Sequence, residues 1–266
     1  MVRALELEDR GIVQVAGPDG LGFLNGLITN DVAKASECEG LYAALLTPQG
    51  KYLFDFFVLR RGDEILLDVS RPRLPDFLKR LNLYKLRAKL QLSDRSSDFL
   101  AAAFDGPPGI DGAFPDPRHE ALGYRAILPS GFAMDRFPPW PRQDYRQLLL
   151  DHLVPDHERD LVPDQTFLMD VPFDRLNGID FKKGCYVGQE LTARMKHRAN
   201  LRKALLRVRI DGSLPAPGTP ILAGDKEAGV FASGFGDRAL ALLRLDRLDE
   251  PLVAENRKVV IDSERP

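Results

Sequence analysis

The chain has 266 residues, 44% hydrophobic and 29% charged, with 37 Lys+Arg against 39 Asp+Glu and a formal net charge of −2. That length accommodates roughly two domains with an ordinary core, and the near-neutral balance excludes the global phosphate-neutralising footprint of a nucleic-acid binder. Two cysteines, Cys38 and Cys185, exclude a disulfide framework and are too few for a four-thiolate zinc or iron–sulfur site.

No apolar run approaches the ~18 residues of a membrane span. Met1 to Arg10 carries Arg3, Glu6, Glu8, Asp9 and Arg10, unlike a signal peptide. The expectation is a soluble cytoplasmic protein in a reducing compartment. After Gly17-Pro18-Asp19, residues Leu21, Leu24, Leu27 and Ile28 recur at helical spacing, with Asp19 as N-cap and an end near Asn30-Asp31. Tyr52 to Leu59 is a nearly continuous apolar run, predicting a buried strand; Arg61-Gly62-Asp63 then turns the chain into a second strand, Glu64 to Val69. Leu74, Phe77, Leu78 and Leu81 follow the helical period, and the alternation from Lys85 to Leu92 predicts a half-buried strand. Eight prolines and five glycines fall between Asp105 and Arg142, so long loops are expected there, with at most a hairpin around Leu122 to Leu128. A helix is expected from Arg142 to Leu153 and another after Gly188. From Ala204 onward, short alternating segments with frequent turn signals predict a small all-β module, a barrel, starting near Ala199-Asn200.

The stretch from Phe181 to Asn200 carries the most chemistry. Cys185 follows Lys182, Lys183 and Gly184 and stands just before a helix start, where positive charge and the helix dipole both favour a thiolate; an inert cysteine filling a small buried site is the competing reading. Seven Lys/Arg residues lie between Lys182 and Lys203 against one acid, Glu190. They form either a solvated basic face or a local anion site.

Lys183-Gly184-Cys185-Tyr186-Val187-Gly188-Gln189-Glu190 resembles the signature of the YgfZ-type folate-binding proteins, relatives of the glycine cleavage T-protein, an aminomethyltransferase. Phe23-Leu24-Asn25-Gly26, Thr29-Asn30-Asp31-Val32 and Thr47-Pro48-Gln49-Gly50-Lys51 match in order, as do Glu227 to Ser233 and Ala239 to Leu242 near the end. The resemblance implies an α+β, aminomethyltransferase-like folate-binding fold: interleaved α/β subdomains over residues 1–198, then a C-terminal β-barrel over 199–266. It implies tetrahydrofolate as cofactor and a role in iron–sulfur cluster assembly or repair, with folate and iron–sulfur client or assembly proteins as partners and no membrane. Asp170, fifteen positions before Cys185, matches the family's pterin-reading acid, though a helix or turn cap is its bland alternative. Asn30, Lys183, Tyr186, Gln189, Glu190 and Arg194 are the implied folate contacts, Cys185 the functional thiol, and no residue is assigned to a metal. The T-protein carries paired acids where this chain has Phe54-Asp55, so Asp55 is the one candidate left for an alternative activity, aminomethyl or one-carbon transfer to tetrahydrofolate. A binding module whose folate pocket has decayed is the third reading.

Overall fold

A strand apolar on both faces belongs in the middle of a sheet covered on both sides, and Tyr52–Leu59 is buried throughout. The computed structural model describes residues 1–156, 159–197 and 201–263. In chain order, β1 (Ala4–Glu6) and β2 (Arg10–Ala16) lead to α1 (Gly20–Asn25), β3 (Leu41–Leu46), β4 (Tyr52–Arg61), β5 (Glu64–Ser70), α2 (Leu74–Lys85) and β6 (Gln91–Asp94). Next come β7 (Phe99–Phe104), β8 (Ala113–Pro115), β9 (Tyr124–Pro129), α3 (Arg142–Asp151) and α4 (Gln189–His197). The last strands are β10 (Lys203–Ile210), β11 (Pro220–Ala223), β12 (Lys226–Phe235), β13 (Arg238–Arg244), β14 (Leu252–Ala254) and β15 (Arg257–Ile261).

The strands form a five-stranded sheet in the order β3-β4-β5-β2-β6, a four-stranded sheet β1-β7-β9-β8, and a closed barrel β10-β13-β12-β11-β14-β15. On one face of β4, Phe54, Phe56 and Val58 pack with Leu24, Ile28, Phe77 and Leu81 from the α1 and α2 side. On the other, Tyr52 and Phe57 join Tyr42, Leu168 and Phe173. The register of β3 on β4 slips at one point: Leu45 faces Phe54 and Leu46 faces Tyr52, leaving Leu53 as an extra residue. A bulge of this kind turns the following residues over, so Tyr52 and Asp55, three apart, share a face. In the barrel, Ala204, Leu206, Val208 and Ile210 point inward as their alternation predicts, while Leu205 and Leu240 face out and join the core of the main body.

The expected mixture of α/β elements followed by a barrel is the observed one. Three local expectations need correction. The first helix ends at Asn25, and Leu27 and Ile28 are buried in the turn beyond it; Asp19 makes no side-chain cap and accepts instead from the Lys89 amide at 2.7 Å. The strand expected from Lys85 starts only at Gln91, because α2 runs to Lys85 and Leu86 follows with a positive φ of 44° and its side chain in solvent. The Pro/Gly-rich stretch does hold a hairpin, β8 with β9, and β9 also pairs with β7. The expected boundary at 198/199 lies outside the described residues.

Candidate functional site

The KGCYVGQE loop is built by its anchors. The Lys183 ammonium has three N–H donors, and they meet the carbonyl oxygens of Asn25, Ile28 and Asn30 at 2.8, 2.7 and 2.8 Å. Burial pulls its pKa down to about 8, against the opposing pull of Asp31 and Asp180. The Val187 amide donates to Gly26 O at 3.2 Å, the Asp180 amide to Thr29 O at 2.9 Å, and Lys34 closes on Asp180 at 2.6 Å. Gly188 (φ +83°) lies so close to the Thr47–Lys51 turn that a Cβ there would fall 2.5 Å from Thr47 O. Reciprocally, a Cβ on Gly50 (φ +73°) would stand 3.0 Å from Gly188 O. Two sequence motifs well over a hundred residues apart are thus in backbone contact, and glycine is what permits it.

This scaffold leaves Cys185 exposed. The reading of an inert buried cysteine therefore gives way. The paired-lysine argument is also corrected, since Lys183 turns its charge onto carbonyls and only Lys182 remains exposed. Tyr186 is buried, its phenol pushed up to about 12 by desolvation, with the Lys183 ammonium 5.1 Å from its ring centroid. Gln189 accepts from the Tyr186 amide at 3.4 Å, and Glu190 pairs with Arg194 at 2.6 Å on the exposed face of α4. Asn30 is buried and gives both amide hydrogens away, to Tyr42 O at 2.9 Å and Asn177 O at 2.8 Å. The donors of Lys183 and Asn30 are thus engaged within the fold.

Asp170 occupies a different place. It lines a cleft of about 590 Å³ between the segment 162–170 and the barrel, with Phe167, Met195 of α4, Val230 and Leu242 as apolar walls and Arg202 and Lys203 beside it. The segment is held by the start of β4, where the Tyr52 amide donates to Thr166 O and the Asp164 amide to Tyr52 O, both at 2.8 Å. It is tied to the barrel by the Leu205 amide, which donates to Asp170 O at 2.8 Å. The Asp170 side chain accepts no hydrogen bond among the described residues. Burial pushes its carboxyl up to about 6, moderated by Lys203.

Asp55 is in neither place. Buried on β4, it accepts from Tyr42 Oη at 2.9 Å and Tyr52 Oη at 2.7 Å, the second bond being possible because of the bulge at Leu53. It lines a small cavity with Arg10, Arg118 and Arg125. Sequence reasoning missed these arginines, because nothing local in a sequence distinguishes a buried guanidinium from an exposed one. The basic stretch read as a solvated face or a local anion site divides likewise: Arg202 and Lys203 reach the cleft, while Arg194 and Lys196 pair with Glu190 and Asp174.

Residues 202–264 match the family model described as the CAF17 C-terminal beta-barrel domain. The mouse mitochondrial iron–sulfur cluster assembly factor IBA57 is 30% identical over 92% of this chain and 78% of its own length. The chain belongs to the IBA57 family. The human IBA57 protein matches equally, 30% identical with the same coverage, and the Pyricularia oryzae homologue is 29% identical over 90% of this chain and 71% of its own. Among solved structures, aminomethyltransferase T of the Bartonella henselae glycine cleavage system superposes with a TM-score of 0.79 at 16% identity, covering 98% of this chain and 85% of that one. The aminomethyltransferase-like fold therefore holds. The cytoplasmic expectation does not, since these IBA57 relatives are named as mitochondrial. Cysteine usage reports a reducing environment, not which compartment supplies it. No helix among the described residues is long and apolar enough to cross a membrane.

Proposed function

We propose that this chain acts in iron–sulfur cluster assembly as a tetrahydrofolate-binding factor that offers the Cys185 thiol to a client or assembly protein. Membership of the IBA57 family supports the assembly role. The observation that carries the reading is Cys185 itself, exposed on a loop that Lys183, Val187 and Gly188 fasten to the main body. A conventional cluster takes four thiolates and the chain has two cysteines, so any cluster it handles needs ligands from a partner.

The cleft supports the folate part. Its volume falls within the ~300–1,000 Å³ of small-molecule sites. A pterin edge presents adjacent N–H donors that a carboxylate accepts as a pair, and Asp170 has no competing donor among the described residues. The apolar walls suit flat rings, and Arg202 and Lys203 suit an anionic glutamate tail. A reduced folate held there supplies one-carbon carrying capacity. No observation favours a transferase, because both oxygens of Asp55 are engaged by tyrosines and Asp55 does not line the cleft.

Two measurements test the two parts. Cys185→Ala should abolish activation of iron–sulfur client enzymes while leaving thermal unfolding unchanged; undiminished client activity would overturn the role given to the thiol. Calorimetry with tetrahydrofolate should show binding that Asp170→Asn weakens by roughly tenfold or more, as the loss of a charge-assisted pair requires. No heat with the unaltered protein would remove folate from the proposal.

A further inference from the structure

The cavity beside Asp55 has a chemistry unlike that of the cleft. Three buried arginines line it, Arg10, Arg118 and Arg125, at 5%, 7% and 3% exposure. Their guanidinium carbons lie 5.8, 4.8 and 3.8 Å from the centroid of the Phe57 ring. Arg10 and Arg125 share Asp68, the latter at 2.6 Å, and Arg118 holds Asp116 through bonds of 2.9 and 2.7 Å. The Tyr145 hydroxyl accepts from both Arg118, at 2.9 Å, and Arg125, at 3.2 Å.

Among the guanidinium nitrogens of these three arginines, one is both buried and left over after this pairing. Arg125 Nε is buried and has no hydrogen-bond partner among the described residues. A charged donor sealed from water without an acceptor is costly to a fold, and here it belongs to a residue that lines a cavity. Arg146, exposed on α3, also lines the cavity and makes no ion pair among the described residues. The acids that line it are largely engaged elsewhere: Asp55 by its two tyrosines, Asp9 by Arg142 at 2.9 Å, with Asp156 at the edge. The space is about 60 Å³, room for a few water-sized groups and too little for a bicyclic ring.

We propose that this cavity is a binding site for a single oxyanion, a carboxylate or phosphate group, received by Arg125 Nε and Arg146. It shares no lining residue with the cleft of Asp170, so it stands or falls independently of folate binding. Thermal unfolding and calorimetry of the full chain with inorganic phosphate and with acetate, each against sodium chloride at equal ionic strength, provide the test. Saturable stabilisation beyond chloride is expected from at least one of them, and the tighter of the two identifies the source of the oxyanion as phosphoryl or carboxylate. Arg146→Gln should weaken that binding roughly tenfold while leaving the unfolding temperature in chloride unchanged. Because Arg125 variants risk misfolding, its Nε–H is followed directly by nitrogen-edited NMR, where its resonance should move on titration. Stabilisation no greater than chloride, or equal in the Arg146→Gln protein with no Nε–H resonance moving, would overturn the proposal.

Discussion

Asp170 illustrates how a binding residue can oppose stability. Burial pushes its carboxyl up to about 6 from an ordinary value of 3.8, so the folded protein holds that proton more tightly than the unfolded chain. Its charge therefore destabilises the fold above about pH 6, and the effect disappears as pH falls below the ordinary value. Asp170→Asn should unfold about 1–3 °C higher than the parent at pH 7.5, with the advantage shrinking between pH 6 and 4, and the same protein should bind tetrahydrofolate less well. Equal unfolding temperatures across that range would mean the carboxylate is solvated. At this scale the sequence identified which residues matter better than what they do. The motif drew attention to Lys183 and Asn30, but the carbonyls they satisfy are chosen by how the chain folds back on itself, so their bracing role was not legible. Cys185, argued from its neighbours, is where an accessible thiol was expected, although one of those neighbours is turned away from solvent.

Elements with a clear period were the readable ones. The helices α2, α3 and α4 and the alternating β10 all occur where their spacing placed them. The error at Lys85 to Leu92 arose because alternation over a turn mimics a strand, and only the partner, β2, decides where pairing begins. The bulge at Leu53 was invisible for a related reason: a run apolar on both faces carries no signal of register. The contact between the Thr47–Lys51 turn and the Gly188 turn gives a sharp test. Gly188→Ala combines a positive φ with a Cβ 2.5 Å from a carbonyl oxygen, and should cost about 2–4 kcal/mol in chemical denaturation. Gly184→Ala, where a Cβ meets nothing within 4 Å, should stay within about 0.5 kcal/mol. Similar losses for both would show that the two turns are not in contact.

For the molecule as a whole, fold class was legible because the motif, the change of character after residue 200 and the mixed α/β first part agree. The buried charges were not. Arg125 and Asp68 are 57 residues apart, and only the stacking of the two sheets through Ile12, Leu59, Leu66, Ala101 and Ile127 brings them together. The cleft is likewise a property of the assembled chain, since Val230 and Leu242 come from the barrel and Phe167 from the body. Val230→Trp should fill it from the barrel side and abolish the heat of tetrahydrofolate binding without lowering client activation more than the loss of folate itself does. Retained heat would place the ligand elsewhere.

The Lys183 clasp has a consequence for the surroundings in which the protein can work. It joins a cation to three neutral carbonyl dipoles, not to a carboxylate, and it is half sheltered from solvent. Dissolved electrolyte weakens attraction between exposed opposite charges across distances near the Debye length, but it has little purchase on an ammonium nested against peptide oxygens. The sulfur of Cys185 therefore keeps its station through changes in salinity that would loosen an ordinary surface ion pair.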